Sequence, residues 1–246
     1  MCFLSLPSSV LPLITDVLSS NWNMGQQTSR QEFLNEEMTD PRTRDWFTLN
    51  LALRESTEAL AICIHHKISV LHKRSRRAQG NLPACHRNCS QTQDSQWCAT
   101  CNWWKGEIYS LCKDEYKQRI NWSRYHSAQW PLIPYEFARV FIPRAHRLYY
   151  KSNEFHEDIR FSLSLLENCE EFNIPKELIQ KAWVVRNSFR RKGKMKIRKS
   201  DLNQGIKVLL DILSMPEIES HEAIPPAIQK LKTLSTSIEE NGCCIL

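Results

Sequence analysis

The sequence predicts an all-α protein, because apolar residues recur at steps of three and four along several long segments. Residues 46–72 give the clearest case, with one apolar stripe: Phe47, Leu51, Leu60, Ile64, Ile68 and Leu71. Only six glycines occur among 246 residues, and the alternating apolar and polar pattern of strands is scarce. Both observations disfavour a β-sandwich or a β-barrel.

The helices are predicted in order along the chain. The first covers Trp46 to His72, and Ser56-Thr57 leaves open whether it is one helix or a hairpin of two. The basic residues 73–77 suit a helix C-terminus, where cations interact favourably with the helix dipole. Later helices are predicted at 103–116, at 135–142, at 155–172, from Pro175 to Val184, from a Ser200-Asp201 cap to Pro216, and over the amphipathic segment 225–238.

Three regions follow from these patterns. Residues 1–40 are polar and are predicted to be a disordered extension. Residues 41–218 form the helical domain, in which the loop 83–104 carries a cysteine cluster. Residues 219–246 hold the amphipathic segment and a tail with a lipidation motif.

The composition limits which class of protein this is and in which compartment we expect it. No apolar run reaches the roughly 18 residues that a membrane-spanning helix needs. Thirty-three basic and 27 acidic residues give a net charge of +6, which permits an anionic partner without requiring one. The apolar start of the chain contains two prolines and Asp16 and lacks a basic leader, so it is a poor signal peptide. We therefore expect a cytoplasmic protein.

Four of the ten cysteines lie close together in the sequence: Cys85, Cys89, Cys98 and Cys101. Each close pair can chelate from one turn, and the arm between the pairs can fold them together around a tetrahedral Zn²⁺. The sequence therefore predicts a structural zinc site that leaves no position open for water. His86 in place of Cys85, buried free thiols and a redox pair remain as alternatives.

The last four residues, Cys243-Cys244-Ile245-Leu246, fit the prenylation motif C-a-a-X, and a final leucine favours geranylgeranyl. We expect a geranylgeranyltransferase to modify Cys243 and the lipid to bind a membrane surface. Because one lipid chain anchors weakly, a second membrane signal is expected. One candidate is the myristoylation sequence that begins at Met24, which requires translation to start there.

A second candidate is a basic segment between Arg186 and Lys199 that contains no acidic residue. It could neutralise the phosphates of RNA or of an anionic lipid leaflet, or it could be a solvated loop. The residues predicted to bind phosphate or another anion are Arg186, Arg190, Arg191, Lys192, Lys194 and Lys196.

Several motifs occur in a fixed order within residues 43–220. They are Cys98-x-x-Cys101-x-x-Trp104-Lys105-x-Glu107-Ile108, Asn121-Trp122, Trp130-Pro131, Phe137-Ala138-x-Val140-Phe141-Ile142-Pro143-Arg144, Leu165-Leu166-x-Asn168-Cys169, Val185-Arg186-Asn187 and Met215-Pro216-Glu217-Ile218. As an ordered set they resemble an uncharacterised vertebrate family whose mammalian member is chromosome X open reading frame 38. The resemblance implies a HEPN-like helical bundle, similar to that of the DAZ-interacting zinc-finger ubiquitin ligase.

Active HEPN domains are metal-independent endoribonucleases with an Arg-x4–6-His motif, usually formed across a dimer. Arg186 and Asn187 match its start, but Arg191, Lys192 and Gly193 stand where the histidine is needed. An arginine cannot act as the base, because its guanidinium stays protonated. The resemblance therefore implies a bundle without this catalytic pair.

The sequence as a whole predicts a non-catalytic helical adaptor, with structural zinc and a prenyl anchor at membranes, for an unknown protein partner. The alternative is an RNA- or nucleotide-binding HEPN protein with residual endoribonuclease activity. A homodimer and an accessory role in the ubiquitin pathway are implied by the resemblance alone.

Overall fold

The computed structural model describes residues 39–143, 159–188 and 195–240. These ranges contain helices and no strand, which confirms the predicted all-α class. The α-helices are α1 (Pro41–Gln79), α2 (Ala99–Leu111), α3 (Asp114–Lys117), α4 (Pro134–Ala138), α5 (Ile159–Asn168), α6 (Lys176–Ser188), α7 (Lys199–Leu213), α8 (Pro216–Glu219) and α9 (Ile224–Glu240). Short 3₁₀ helices cover Cys89–Gln91, Asp94–Gln96, Trp122–Arg124, Ser127–Gln129 and Arg139–Phe141.

Helix α1 is unbroken across Ser56-Thr57, so the first helix is not a hairpin. The two hydroxyls donate to carbonyls one turn earlier, at 2.8 Å for Ser56 and 2.7 Å for Thr57. The helix therefore satisfies both polar groups internally. It runs for 39 residues, or about 58 Å at 1.5 Å per residue. It ends at Gln79, two residues past the basic stretch 73–77, and the C-cap Gly80 has a φ of 65° that suits glycine.

Most of the long helices pack directly against α1. Helices α7 and α9 cover its N-terminal part, and α2 and α4 cover its C-terminal part. Helix α5 also lies against α1, and α6 packs against α5 and α7. The core thus follows one long helix, with Leu60, Ile64, Ile68 and Leu71 on its buried face.

Some predicted boundaries were wrong for a local reason. Helix α2 begins at Ala99 instead of 103, because Cys98 is its N-cap. Helix α7 begins at Lys199 and has Arg198 at its N-cap position, so Ser200-Asp201 is not the cap. Asp201 instead accepts from the guanidinium of Arg198 at 3.1 Å. Helix α7 ends at Leu213, before Pro216, which instead begins α8.

Helical packing continues past residue 218. In α9, Ile224, Ala227 and Leu231 are buried, and the helix packs against α1 and α7. The amphipathic segment predicted at 225–238 is therefore a helix of the same bundle. Of the extension predicted at 1–40, only Thr39 and Asp40 are among the described residues. No helix in the described ranges is both long and apolar enough to span a membrane.

Replacing each of two helical glycines with alanine should change the free energy of unfolding in opposite directions. A Cβ at Gly205 in α7 would lie 2.6 Å from Cδ1 of Leu49 in α1, whereas a Cβ at Gly106 in α2 would contact nothing. We expect Gly106→Ala to raise the free energy of unfolding by about 1 kcal/mol through helix propensity. Gly205→Ala should lower it by about 1 kcal/mol, because overpacking outweighs that gain. Urea unfolding of both variants checks this, and equal stabilisation would contradict the close α1–α7 contact.

Candidate metal centre

The four predicted cysteines come together in the fold. The Sγ atoms of Cys85, Cys89, Cys98 and Cys101 all lie within 4.8 Å of one another, and those of Cys85 and Cys89 are 3.6 Å apart. Sulfurs at about 2.3 Å from a tetrahedral ion are separated by about 3.8 Å. A small contraction of the cluster therefore gives four-coordinate geometry, and the residues present fit a metal ion.

Two short helices bring the pairs together. Cys89 opens the 3₁₀ helix Cys89–Gln91, and Cys98 is the N-cap of α2 with Cys101 in the first turn. The backbone N–H of Cys101 donates to Sγ of Cys98 at 3.4 Å, and that of Cys98 donates to Sγ of Cys89 at 3.5 Å. These amides and the positive end of the α2 dipole favour thiolate sulfur.

Without a cation, the thiols of the cluster differ in how readily they ionise. Burial raises the pKa of the Cys85 and Cys101 thiols above its usual value. Burial also acts to raise the pKa of Cys89, but hydrogen bonds from the Cys98 amide and the neighbouring thiols outweigh it and lower the pKa to about 7. Metal binding would therefore displace protons, including the one that Cys85 donates to the carbonyl of Arg87.

A second loop holds the cysteine loop in place. The side-chain oxygen of Asn88 accepts from the backbone N–H of Ser127 at 2.9 Å, and the hydroxyl of Ser127 accepts from the backbone N–H of Ser90 at 3.0 Å. The side chains of Asn88 and Ser90 both donate to the carbonyl of Tyr125. These bonds satisfy buried polar groups on either side of Cys89 and fix its position.

Tryptophan side chains pack beneath the arm between the cysteine pairs. The ring centroid of Trp97, just before Cys98, lies 6.0 Å from that of Trp130 and 6.3 Å from that of Trp122. Nζ of Lys105 sits 4.6 Å from the Trp97 centroid and 5.5 Å from that of Trp122, within cation–π range. Because Lys105 is one turn beyond Cys101, this contact ties α2 to the arm.

A buried histidine connects this region to α1. Nε2 of His72 lies 2.7 Å from the carbonyl oxygen of Trp130, and its ring stacks on Trp104 with centroids 5.3 Å apart. Burial lowers the pKa of His72, as does the nearby Arg76, so the imidazole is neutral at pH 7 and its Nε2–H donates to the carbonyl. These contacts connect the loop beside the four-sulfur group to α1.

The other predicted site residues stand apart from this centre. His86 is exposed and is not in the four-sulfur group. Arg190, Arg191, Lys192 and Lys194 lie outside the described residues, as does Cys243. Arg186 is on the last turn of α6 and donates to the side chain of Asn187 at 3.0 Å.

The C-terminal part of the basic segment, residues 195–199, lies against acidic side chains. Nζ of Lys196 is 2.9 Å from a carboxylate oxygen of Asp40, and Lys199 is 3.9 Å from Asp45. Arg198 pairs with Asp201. These contacts connect the segment to the start of α1 and partly neutralise its charge.

Sequence reasoning found the four candidate ligands but missed the residues that hold them in place. Trp97 lies in the arm itself, so its position between the cysteine pairs was a usable signal. Asn88, Ser127 and His72 gave no such signal, because their partners come from distant parts of the chain. Polar residues of this kind can be assigned only from the fold.

Comparison with known proteins identifies a family. A family model described as "Domain of unknown function (DUF4559)" matches residues 37–242. The chain therefore belongs to this family. No curated protein and no solved structure matches it.

The neutral state of His72 should make stability depend on pH. Because its folded-state pKa is lowered, the contribution is fully present above the unfolded-state pKa of about 6.5 and is lost as pH falls towards the folded-state value. Thermal unfolding of wild type and His72→Gln between about pH 7 and pH 5.5 should therefore show a difference that shrinks with acid. Unfolding temperatures of wild type and His72→Gln that stay parallel over this pH range would contradict this account.

Proposed function

We propose that this member of the DUF4559 family is a non-catalytic helical adaptor, with one structural Zn²⁺ in its cysteine cluster and a geranylgeranyl group on Cys243 that attaches it to membranes. The observation that carries the proposal is the four-sulfur group where the cysteine loop meets α2. Its supports are the chemistry of the donors, the packing around them and the sequence of the C-terminal tail.

Zinc is the metal that the donor set favours. Four thiolates are soft ligands, and a tetrahedral four-cysteine site is typical of structural zinc. Four protein ligands leave no open position for a water molecule, so the ion would supply no Lewis-acid chemistry. Its role would be to join two stretches of loop that have little regular structure of their own.

The adaptor role is proposed because the bundle holds its helices and the cysteine loop in a fixed arrangement. The proposed zinc fixes a loop at one end of α1, while α7 and α9 cover the other part of that helix. The bundle also supports the proposed kinship with HEPN domains, since both are all-α. Arg191, Lys192 and Gly193 stand where a catalytic histidine is needed, so the proposal includes no RNA cleavage.

Membrane attachment rests on the sequence Cys243-Cys244-Ile245-Leu246. The last described helix reaches Glu240, so only a short stretch of chain separates the bundle from the proposed lipid. One prenyl chain binds a membrane only marginally. The predicted basic residues of 186–194 would add attraction to anionic lipids in this proposal.

Elemental analysis tests the metal. Protein purified under reducing conditions should hold about one zinc ion per chain. Cys101→Ser should lose most of this zinc and unfold at a lower temperature, because the remaining thiolates cannot close the site. Cys63→Ser removes a buried cysteine outside the cluster and should keep one zinc ion. Full zinc content in Cys101→Ser, or none in wild type, would refute the zinc site.

Cell fractionation with intact-mass analysis tests the anchor. Wild-type protein from eukaryotic cells should carry a geranylgeranyl group on a shortened C-terminus and partition with membranes. Cys243→Ser should stay unmodified and move to the aqueous fraction. Cys244→Ser keeps the C-a-a-X pattern and is the matched control. If the tail of the wild-type protein is unmodified, the lipid part of the proposal fails while the zinc part stands.

A further inference from the structure

Two cysteines outside the metal centre face each other where α2 and α5 end. Cys112 follows α2 and Cys169 follows α5, and both are free and fully buried. They pair as an isolated antiparallel β-bridge, a contact that neither helical stripe predicts.

The backbone hydrogen bonds define the geometry of this pair. The N–H of Lys113 donates to the carbonyl of Asn168 at 3.0 Å, and the N–H of Glu170 donates to that of Leu111 at 2.8 Å. The bonds therefore flank the two cysteines, which form a non-hydrogen-bonded pair. In such pairs the Cα atoms are about 4.5 Å apart. That separation lies within the range of about 4.4–6.8 Å that disulfides span.

Further contacts hold both chains at this point. The side-chain amide of Asn168 donates to the carbonyl of Phe141 at 2.8 Å, and Nζ of Lys113 lies 3.3 Å from the carbonyl of Leu166. The two cysteines are therefore presented to each other by a fixed backbone. A bridge between them needs little rearrangement of the surrounding chain.

We propose that Cys112 and Cys169 form a reversible intramolecular disulfide by exchange with a low-molecular-weight disulfide such as oxidised glutathione. One cysteine loses its proton, and its thiolate attacks the reagent, whose S–S bond breaks to release one glutathione thiolate. The other cysteine, once deprotonated, displaces the second glutathione from the mixed disulfide. Two protein thiols thus lose two electrons and two protons, and one glutathione disulfide is reduced to two thiols.

The surroundings make this exchange slow. Burial raises the pKa of Cys169 to about 12, and burial together with the neighbouring Cys169 raises that of Cys112. Both thiols are protonated at neutral pH and shielded from solvent, so they react only when the ends of α2 and α5 open. The disulfide would therefore form slowly, during folding or prolonged oxidation, and it does not involve the cysteine cluster.

The test uses the full chain with zinc, both folded and refolded in buffer that contains oxidised and reduced glutathione. Free thiols are then blocked with N-ethylmaleimide, and the monomeric folded fraction is digested with trypsin without reduction. Cys112 and Cys169 are the single cysteines of tryptic peptides 106–113 and 161–176. We expect these two peptides to be joined and the thermal midpoint to rise by about 10 °C.

The matched control is Cys63→Ser, which removes another fully buried thiol and should keep both the joined peptides and the rise. Cys112→Ala and Cys169→Ala should each lose both. If peptides 106–113 and 161–176 of refolded wild type each carry only N-ethylmaleimide or glutathione, the proposal is wrong. That readout comes from the wild-type chain, so it does not depend on how well the variants fold.

Discussion

The unbroken course of α1 is the constraint on which the rest of the structure depends. Its 39 residues give one continuous surface, on which α2, α4, α5, α7 and α9 pack. Ser56 and Thr57 permit this because their hydroxyls bond to carbonyls of the same helix. A break at that point would separate the part of α1 beside α7 from the part beside α2, and the two ends of the bundle would lose their fixed relation.

The four-sulfur group depends on the bundle for its position. A loop with little regular structure must satisfy its own polar backbone, and here Asn88 and Ser127 do so from two loops at once. His72 then ties the second loop to α1 through the carbonyl of Trp130. Because this imidazole is buried and neutral, the link adds no charge beside a site that already gathers four sulfurs.

The sequence predicted correctly the features that depend on residues close together in the chain. Residue spacing predicted most of the helices, and two close cysteine pairs predicted the four-sulfur group, because both depend on neighbours in the chain. The start of α7 was misplaced because Asp201 pairs with Arg198 instead of capping the helix. Of the residues in the predicted anion site, only Arg186 and Lys196 lie within the described ranges, and Lys196 pairs with Asp40. No property of residues near Lys196 could have indicated that contact.

By itself, the sequence determined the helical class, the candidate metal ligands and the motif at Cys243, since periodicity and spacing act over a few residues. Only the tertiary structure decided that α1 is continuous, that α9 belongs to the bundle, and that His72 bonds to the loop beside the four-sulfur group. It also decided that Cys112 meets Cys169. The reason is physical, because these features arise where distant segments exclude water from a shared surface, and such a surface exists only after the chain has folded.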